Sequence, residues 1–240
     1  MAYNYNGKEP IKISVEELTE SQKELIFENK TFCMYPWIHL HAFPTGEAYP
    51  CCNTEMSETV GNTRHDTLEE IWRGAPMRDI RTKMLANEKI KGCNRCYEQE
   101  ESGFFSMRMS ANKHFGHHIG LTENPEPPMK LIYWDIRFSN LCNLRCRSCG
   151  HIFSSNWYDD QAKLAGGDWA KNNTRINFAG RSEDDIWEQL EPQIDNLEQV
   201  YFAGGEPLIM EEHYRLLKEL IKRGRSNVRL IYNTNFTQTV

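Results

Sequence analysis

The sequence predicts an α/β fold: a small α+β cysteine-rich domain followed by a parallel sheet of strand–helix units. Three observations carry this. Eight cysteines fall into two groups, five within the first hundred residues and three on one short loop at Cys142, Cys146 and Cys149. A stretch rich in glycine and proline separates the groups. From Leu131 onward, short apolar runs alternate with longer amphipathic segments, the rhythm of βα units.

Taken in order, residues 1–30 are a polar lead-in, in which Val15 to Asn29 has helical spacing. Residues 31–100 form the first domain. There, Trp37 to Phe43 and Glu47 to Tyr49 read as strands around a turn at Pro44-Thr45-Gly46. Thr67 to Leu85 reads as one helix, with Leu68, Ile71, Trp72, Ile80 and Met84 on one side and a capping box at Thr67 to Glu70. Residues 101–130 read as a connector, because Gly103, Gly116, Gly120, Pro125, Pro127 and Pro128 break any helical period. The domain boundary falls near Glu123 to Pro128.

Residues 131–240 form the second domain. Strands are predicted over Leu131 to Phe138, Val200 to Ala203 and Val228 to Tyr232. Helices are predicted over Ser155 to Leu164, over Ser182 to Leu197 with Ser182 as N-cap, and over Glu211 to Arg223. In the last, Leu216, Leu217, Leu220 and Ile221 make the apolar side. The sequence stops at Val240, just past the third strand of this series. Three parallel strands cannot close a barrel, so the sheet is expected to be cut short or completed by a partner.

Composition narrows the function. Hydrophobic content of 39% and charged content of 26% suit a soluble globular chain. The net charge of −6 argues against a nucleic-acid partner. No run approaches the roughly 18 apolar residues of a membrane span. The N-terminus lacks the layout of a secretory signal, so a cytoplasmic location is expected. Thiols stay reduced there, and eight cysteines then point to metal or cluster ligation rather than disulfides.

Cys142-x-x-x-Cys146-x-x-Cys149 sits directly after the first strand of the second domain. Three thiolates on one loop can hold three corners of a cubic iron–sulfur cluster, which normally takes four, and so leave one iron open. With His151 added, the same loop could be a structural zinc site. The sequence Gly204-Gly205-Glu206-Pro207 after the second strand favours the cluster, since a zinc knuckle has no need of it. Asn233-Thr234-Asn235 follows the third strand. All three segments then lie at the same edge of a parallel sheet, where ligands bind.

The loop from Asn140 to Gly150, with the Gly-Gly-Glu-Pro turn, resembles the radical S-adenosylmethionine (SAM) enzymes. The resemblance implies a partial (β/α) parallel barrel of radical SAM type. It implies that Cys142, Cys146 and Cys149 ligate a [4Fe-4S] cluster, with SAM chelating the fourth iron. Gly204, Gly205, Glu206 and Pro207 would meet the methionine end of SAM, with Asn233 and Asn235 as further contacts. The residue before the last loop cysteine is commonly aromatic in this family. Here it is Ser148, which puts the packing of adenine in question but not the cluster.

Cys33, Gly46, Cys51 and the pair Cys93-x-x-Cys96, with Cys33-Met34-Tyr35-Pro36-Trp37, Gly61-Asn62 and Ile71-Trp72 beside them, resemble the SPASM/twitch auxiliary-cluster domains. The resemblance implies a second, auxiliary [4Fe-4S] cluster on Cys33, Cys51, Cys93 and Cys96. Here the module precedes the barrel, whereas in the family it more commonly follows it. A four-cysteine zinc ribbon has a related layout. Neighbouring strand residues face opposite ways, so only one of Cys51 and Cys52 should be a ligand. The four-residue gap after Gly46 favours Cys51 and leaves Cys52 as a buried thiol.

Other candidates read more plainly. His39 and His41 share a strand face and could be ligands, but are expected to be exposed polar positions. His114, His117 and His118 sit in the connector and could bind substrate or a stray metal, but a solvated loop is expected. Trp134, Trp187 and Tyr201 read as core. Asp135 and Arg137 alternate along a strand and are candidates for the barrel interior, as substrate or SAM contacts. Glu183-Asp184-Asp185 and Lys222, Arg223 and Arg225 match helix-end charge patterns.

The reading that results is a radical SAM enzyme that reductively cleaves SAM to a 5′-deoxyadenosyl radical for hydrogen abstraction from a peptide or protein. An electron donor such as flavodoxin or ferredoxin is its expected partner. The alternative is a non-enzymatic zinc- or cluster-binding protein with a structural or electron-transfer role.

Overall fold

The computed structural model describes residues 13–124 and 126–238. The N-terminal residues read for a secretory signal, Pro125 and Val240 lie outside them. Six strands form one mixed sheet: β1 (His39–Ala42), β2 (Glu47–Tyr49), β3 (Gly61–Asn62), β4 (Tyr133–Ile136), β5 (Gln199–Phe202) and β6 (Arg229–Tyr232), in the order β3-β2-β1-β4-β5-β6. The sheet is open; it does not close into a barrel. β1, β4, β5 and β6 are parallel, and β2 and β3 are antiparallel additions at one edge. The sequence reading placed the parallel series from Leu131 on; β1, from the cysteine-rich segment, also belongs to it. His39 pairs with Tyr133, and Ala42 with Ile136.

The helices are α1 (Glu20–Lys23), α2 (Tyr35–Ile38), α3 (Leu68–Arg73), α4 (Ala75–Leu85), α5 (Asn94–Glu101), α6 (Met107–Phe115), α7 (Tyr158–Ala165), α8 (Gly167–Asn172), α9 (Asp185–Leu190) and α10 (Glu211–Lys222). Several depart from expectation for local reasons. The lead-in is a 3₁₀ turn at Val15–Glu17 and then α1, which starts on a Thr19/Gln22 capping box and runs into a π turn at Glu24–Glu28. The expected strand from Trp37 begins only at His39, because Pro36 sits in the first turn of α2. The single helix expected over Thr67 to Leu85 is two. Gly74 is extended (ψ 154°) and Pro76 lies in the first turn of α4. Its capping box is present: Glu70 N–H donates to Thr67 Oγ1 (3.1 Å) and Thr67 N–H to Glu70 Oε2 (2.7 Å).

The connector is not structureless. Ser106 caps α6 by accepting from Met109 N–H (3.1 Å), and a 3₁₀ helix follows over Gly116–Glu123. Ser182 is no N-cap; α9 begins at Asp185, and Pro192 turns the rest into a 3₁₀ helix.

Strand alternation splits the core. Leu40, Ala42, Trp134, Ile136, Val200 and Phe202 face one side and pack with Trp187 and Leu190 of α9 and Leu216 and Leu220 of α10. Each such large side chain contributes roughly 1.5–3 kcal/mol by leaving water. Tyr133 and Tyr201 face the other side, against Tyr35, Trp37 and Phe115. His39 and His41, expected to be exposed, are 0% and 1% exposed. Tyr35 of α2 and Tyr133 pack on His39, and Phe43 and Tyr49 on His41, so both faces of β1 are buried.

Candidate functional site: two cysteine groups and the sheet face between them

The loop after β4 is held by its own backbone and by small polar side chains. Cys149 N–H donates to Cys146 C=O (3.0 Å), and Ser155 Oγ accepts from Cys142 N–H (3.2 Å). Ser154 Oγ donates to Leu144 C=O (2.6 Å), and Trp157 Nε1–H to Cys146 C=O (3.2 Å). Fully buried Asn140 closes the base, donating to His151 C=O (2.8 Å) and accepting from Asn177 N–H (2.8 Å). Cys146 is exposed, and Cys142 and Cys149 are half-buried. Burial, and then the Cys146 thiol beside it, raise the Cys149 thiol. His151 is not presented as a fourth ligand: its Nε2 bonds to Thr174 C=O (2.9 Å) and its ring packs on Tyr158 and Trp169.

The turn after β5 meets this loop directly. Gly204 has φ +98°, a conformation that favours glycine. A Cβ on Gly205 would overlap the carbonyl of Leu141, so only glycine allows the approach. Gly205 N–H then donates to Ser139 C=O (3.1 Å), and Glu206 N–H to Leu141 C=O (2.7 Å). The Glu206 carboxylate, 1% exposed, accepts from Leu208 N–H (3.0 Å), Thr234 Oγ1 (2.6 Å) and Asn235 N–H (2.7 Å). A carboxylate has about four acceptor positions, so one remains. Pro207 opens the short 3₁₀ turn that follows.

The turn after β6 completes the set. Asn235 Nδ2 donates to Asn143 Oδ1 (2.8 Å) and lies 3.9 Å from Cys142 Sγ. Asn233 N–H donates to Phe202 C=O (2.8 Å), and its side chain bonds to Tyr201 Oη. Three turns, from the ends of three parallel strands, are thus bonded together at one edge of the sheet.

The first cysteine group gathers elsewhere, from three elements. Cys33 precedes α2, Cys51 follows β2, and Cys93 and Cys96 flank the start of α5. All four line one small cavity with Asn53, Met84 and Arg108. Burial, reinforced by the neighbouring thiols, pushes Cys33 well up and Cys51 up to about 11; Cys93 rises for the same reasons. Metal-free, Cys33, Cys51 and Cys93 therefore stay protonated at pH 7. Asn53 supplies N–H groups to Cys51 Sγ (3.4 Å) and Cys96 Sγ (3.3 Å). Four convergent thiols with donors to their sulfurs are the donor set an iron–sulfur cluster takes.

Cys52, expected as a buried thiol, is an exposed residue and lines a different cavity. This cavity lies against the sheet face of Tyr133, Gln199, Tyr201, Arg229 and Ile231, and is roofed by Met107, Ser110, His114 and Phe115 of α6. Burial of its thiol and then the Asp135 carboxylate raise Cys52. Asp135 is fully buried, 3.0 Å from His41 Nδ1 and 3.7 Å from Arg137 Nε. Burial alone would raise its carboxyl, but His41 and Arg137 outweigh it and hold it below the usual range. Burial pushes His39 down to about 4, so that imidazole is neutral at pH 7. The Arg137 guanidinium lies 5.3 Å from the ring centres of both Phe43 and Phe153.

Of the remaining sequence candidates, Asp184 and Asp185 pair with Arg215 and Arg181, and Arg223 pairs with Glu219 and Asp195. Arg225 bonds to Asp195 and Leu197 carbonyls. Trp134, Trp187 and Tyr201 are buried. Sequence reasoning did not find Asn53, Asn140, Ser154 or Ser155. Each is a short polar residue near a cysteine, the one signal that marks them as backbone and sulfur anchors.

Residues 33–97 are similar to the SPASM domain, an iron-sulfur cluster-binding domain; the match spans about a quarter of the chain. No curated protein and no solved structure matches the chain. The match supports iron–sulfur binding by the first cysteine group in a type of domain common in radical SAM enzymes. Among the described residues, no helix is long and apolar enough to cross a membrane.

Proposed function

We propose that this chain is a radical SAM enzyme with an auxiliary iron–sulfur site. The observation that carries the reading is the joining of three strand-end turns through Gly205, Glu206 and Asn235, with the Cys142–Cys149 loop at their centre. In this reading Cys142, Cys146 and Cys149 hold three irons of a [4Fe-4S] cluster, and Cys33, Cys51, Cys93 and Cys96 hold a second. When bound, the cluster on Cys142, Cys146 and Cys149 would supply one electron to SAM, whose carbon–sulfur bond would break to give methionine and a 5′-deoxyadenosyl radical able to abstract hydrogen.

The chain's residues do the positioning. Gly204 and Gly205 keep the turn free of side chains, so backbone carbonyls are accessible to the SAM amino group. Glu206 fixes the relation of the second turn to the third and keeps one acceptor position for that cation. Asn233 and Asn235 set the third turn. The aromatic cavity under α6, with Cys52 and Tyr201 on its wall, is where a substrate side chain would lie, shielded from water. A peptide or protein substrate, a flavodoxin- or ferredoxin-like electron donor and a cytoplasmic setting complete the proposal.

The test is anaerobic reconstitution of the full chain followed by incubation with SAM and dithionite. 5′-Deoxyadenosine should form, and should disappear in Cys146→Ala. Absence of the nucleoside from a wild-type chain loaded with both clusters would sink the reading.

A further inference from the structure

Far from the turns just described, at the opposite end of the parallel strands, two imidazoles and a carboxylate converge. His117 and His118 are neighbours in the 3₁₀ helix Gly116–Glu123, and Glu198 immediately precedes β5. Both Nε2 atoms approach one oxygen, Glu198 Oε1, at 3.0 and 2.8 Å. One donor atom from each of the three residues lies within 4.8 Å of the other two. We propose that these residues form a binding site for a divalent transition metal, with Zn²⁺ as its simplest occupant.

The chemistry suits that class. Imidazole with carboxylate is a donor set for borderline ions such as zinc, whereas calcium and magnesium prefer oxygen alone. Ligands at about 2.0–2.1 Å from an ion stand roughly 2.9 Å apart at right angles and about 3.4 Å apart in a tetrahedron. The two nitrogen–oxygen separations, 3.0 and 2.8 Å, are already close to the right-angle value and would open by about 0.5 Å for a tetrahedron. Adjacent residues on a 3₁₀ helix normally point about 120° apart. Here the rings of His117 and His118 are 4.0 Å apart, centre to centre.

The carboxylate is rigidly mounted. Glu198 N–H donates to Ile132 C=O (2.8 Å), and Glu198 C=O accepts from Arg229 N–H (2.8 Å). Its backbone is thereby held between the chain entering β4 and the start of β6. The three side chains are about a quarter exposed, and His118 and Glu198 line an open groove of about 770 Å³ that gives an ion entry. A bound ion would clip the segment after α6 to the central strands. The site shares no residue with either cysteine group, so it stands or falls apart from the proposed enzymatic activity.

The experiment uses the full chain, reconstituted anaerobically with iron and sulfide and then dialysed against Zn²⁺ alone. Wild type, His118→Ala and Glu198→Gln are compared for bound zinc and for iron. Wild type should hold one more zinc than either substituted chain, with only nitrogen and oxygen neighbours in X-ray absorption. Each substitution should weaken zinc binding roughly tenfold or more. Glu198→Gln preserves size and the backbone bonds, so its result stands even if His118→Ala folds poorly. Failure of wild type to retain zinc, equal zinc in all three chains, or sulfur neighbours at about 2.3 Å would overturn the proposal. Iron content reports separately on the cysteine sites.

Discussion

In the proposed reading, the two cysteine groups solve the same ligation problem in opposite ways. The first is assembled from residues more than sixty positions apart, brought together by α2, β2 and α5, and Cys33 and Cys96 are buried. The second is eight residues of one loop, with Cys146 exposed, and its order comes from short side chains bonded to nearby backbone. A site built from distant elements is closed once the fold forms. It suits a cluster that is kept. A site on one loop at a sheet edge can leave a corner accessible, which suits a ligand that comes and goes.

The largest test of this difference is to remove one group and count iron. Two [4Fe-4S] clusters give about eight irons per chain after anaerobic reconstitution. Changing Cys142, Cys146 and Cys149 together to Ala should leave about four, with the first cluster's electron paramagnetic resonance signal intact. Stoichiometric zinc with no iron–sulfur absorbance would show that the comparison concerns two zinc sites instead.

Within the first group, Cys51→Ala should abolish that cluster, whereas Cys52→Ala should keep full iron content. Iron analysis of the two variants decides it, and the reverse pattern would exchange the roles of the two cavities. A smaller effect is expected from Gly205→Ala. The added methyl has no room against Leu141, and loss of about 2–4 kcal/mol in denaturant unfolding should result. The loop should be disturbed and the first cluster should load normally. Smallest is Asn53→Ala, which removes the donor to Cys96 Sγ. The reduction potential of the first cluster should fall by roughly 20–60 mV in a redox titration, because such donors favour the more negative reduced state. Iron content should not change.

Much of this was legible because it is local. The Thr67–Glu70 capping box, the strand at Glu47–Tyr49 and α10 each carry their own signal within a few residues. The spacing of each cysteine group is likewise visible in the chain itself. The pairing of β1 with β4 is not, because nothing near His39 specifies a partner at Tyr133. The burial of His39 and His41 was misread for the same reason. His-Leu-His-Ala alternates like a half-exposed strand, and the cover that buries its polar side comes from Tyr35, Tyr133, Phe43 and Tyr49. α6 itself was hidden by the glycines and prolines around it, which mark its borders rather than its absence.

The parallel pairing of β1 with β4 also sets a timetable for synthesis. Ninety residues, 43–132, separate the two strands. At about 5–20 residues per second, a ribosome needs on the order of 5–18 s to make them. Throughout that interval β1 has β2 on one side and an unmatched edge on the other, with Leu40 unprotected. Cys33, Cys51, Cys93 and Cys96 all leave the ribosome before β4 does. The first cysteine group can therefore be filled while the sheet is still incomplete, and an early cluster would hold β1 and β2 in place until β4 arrives. The nascent chain would then depend on iron supply during translation, with starvation appearing as co-translational aggregation rather than as an inactive folded product.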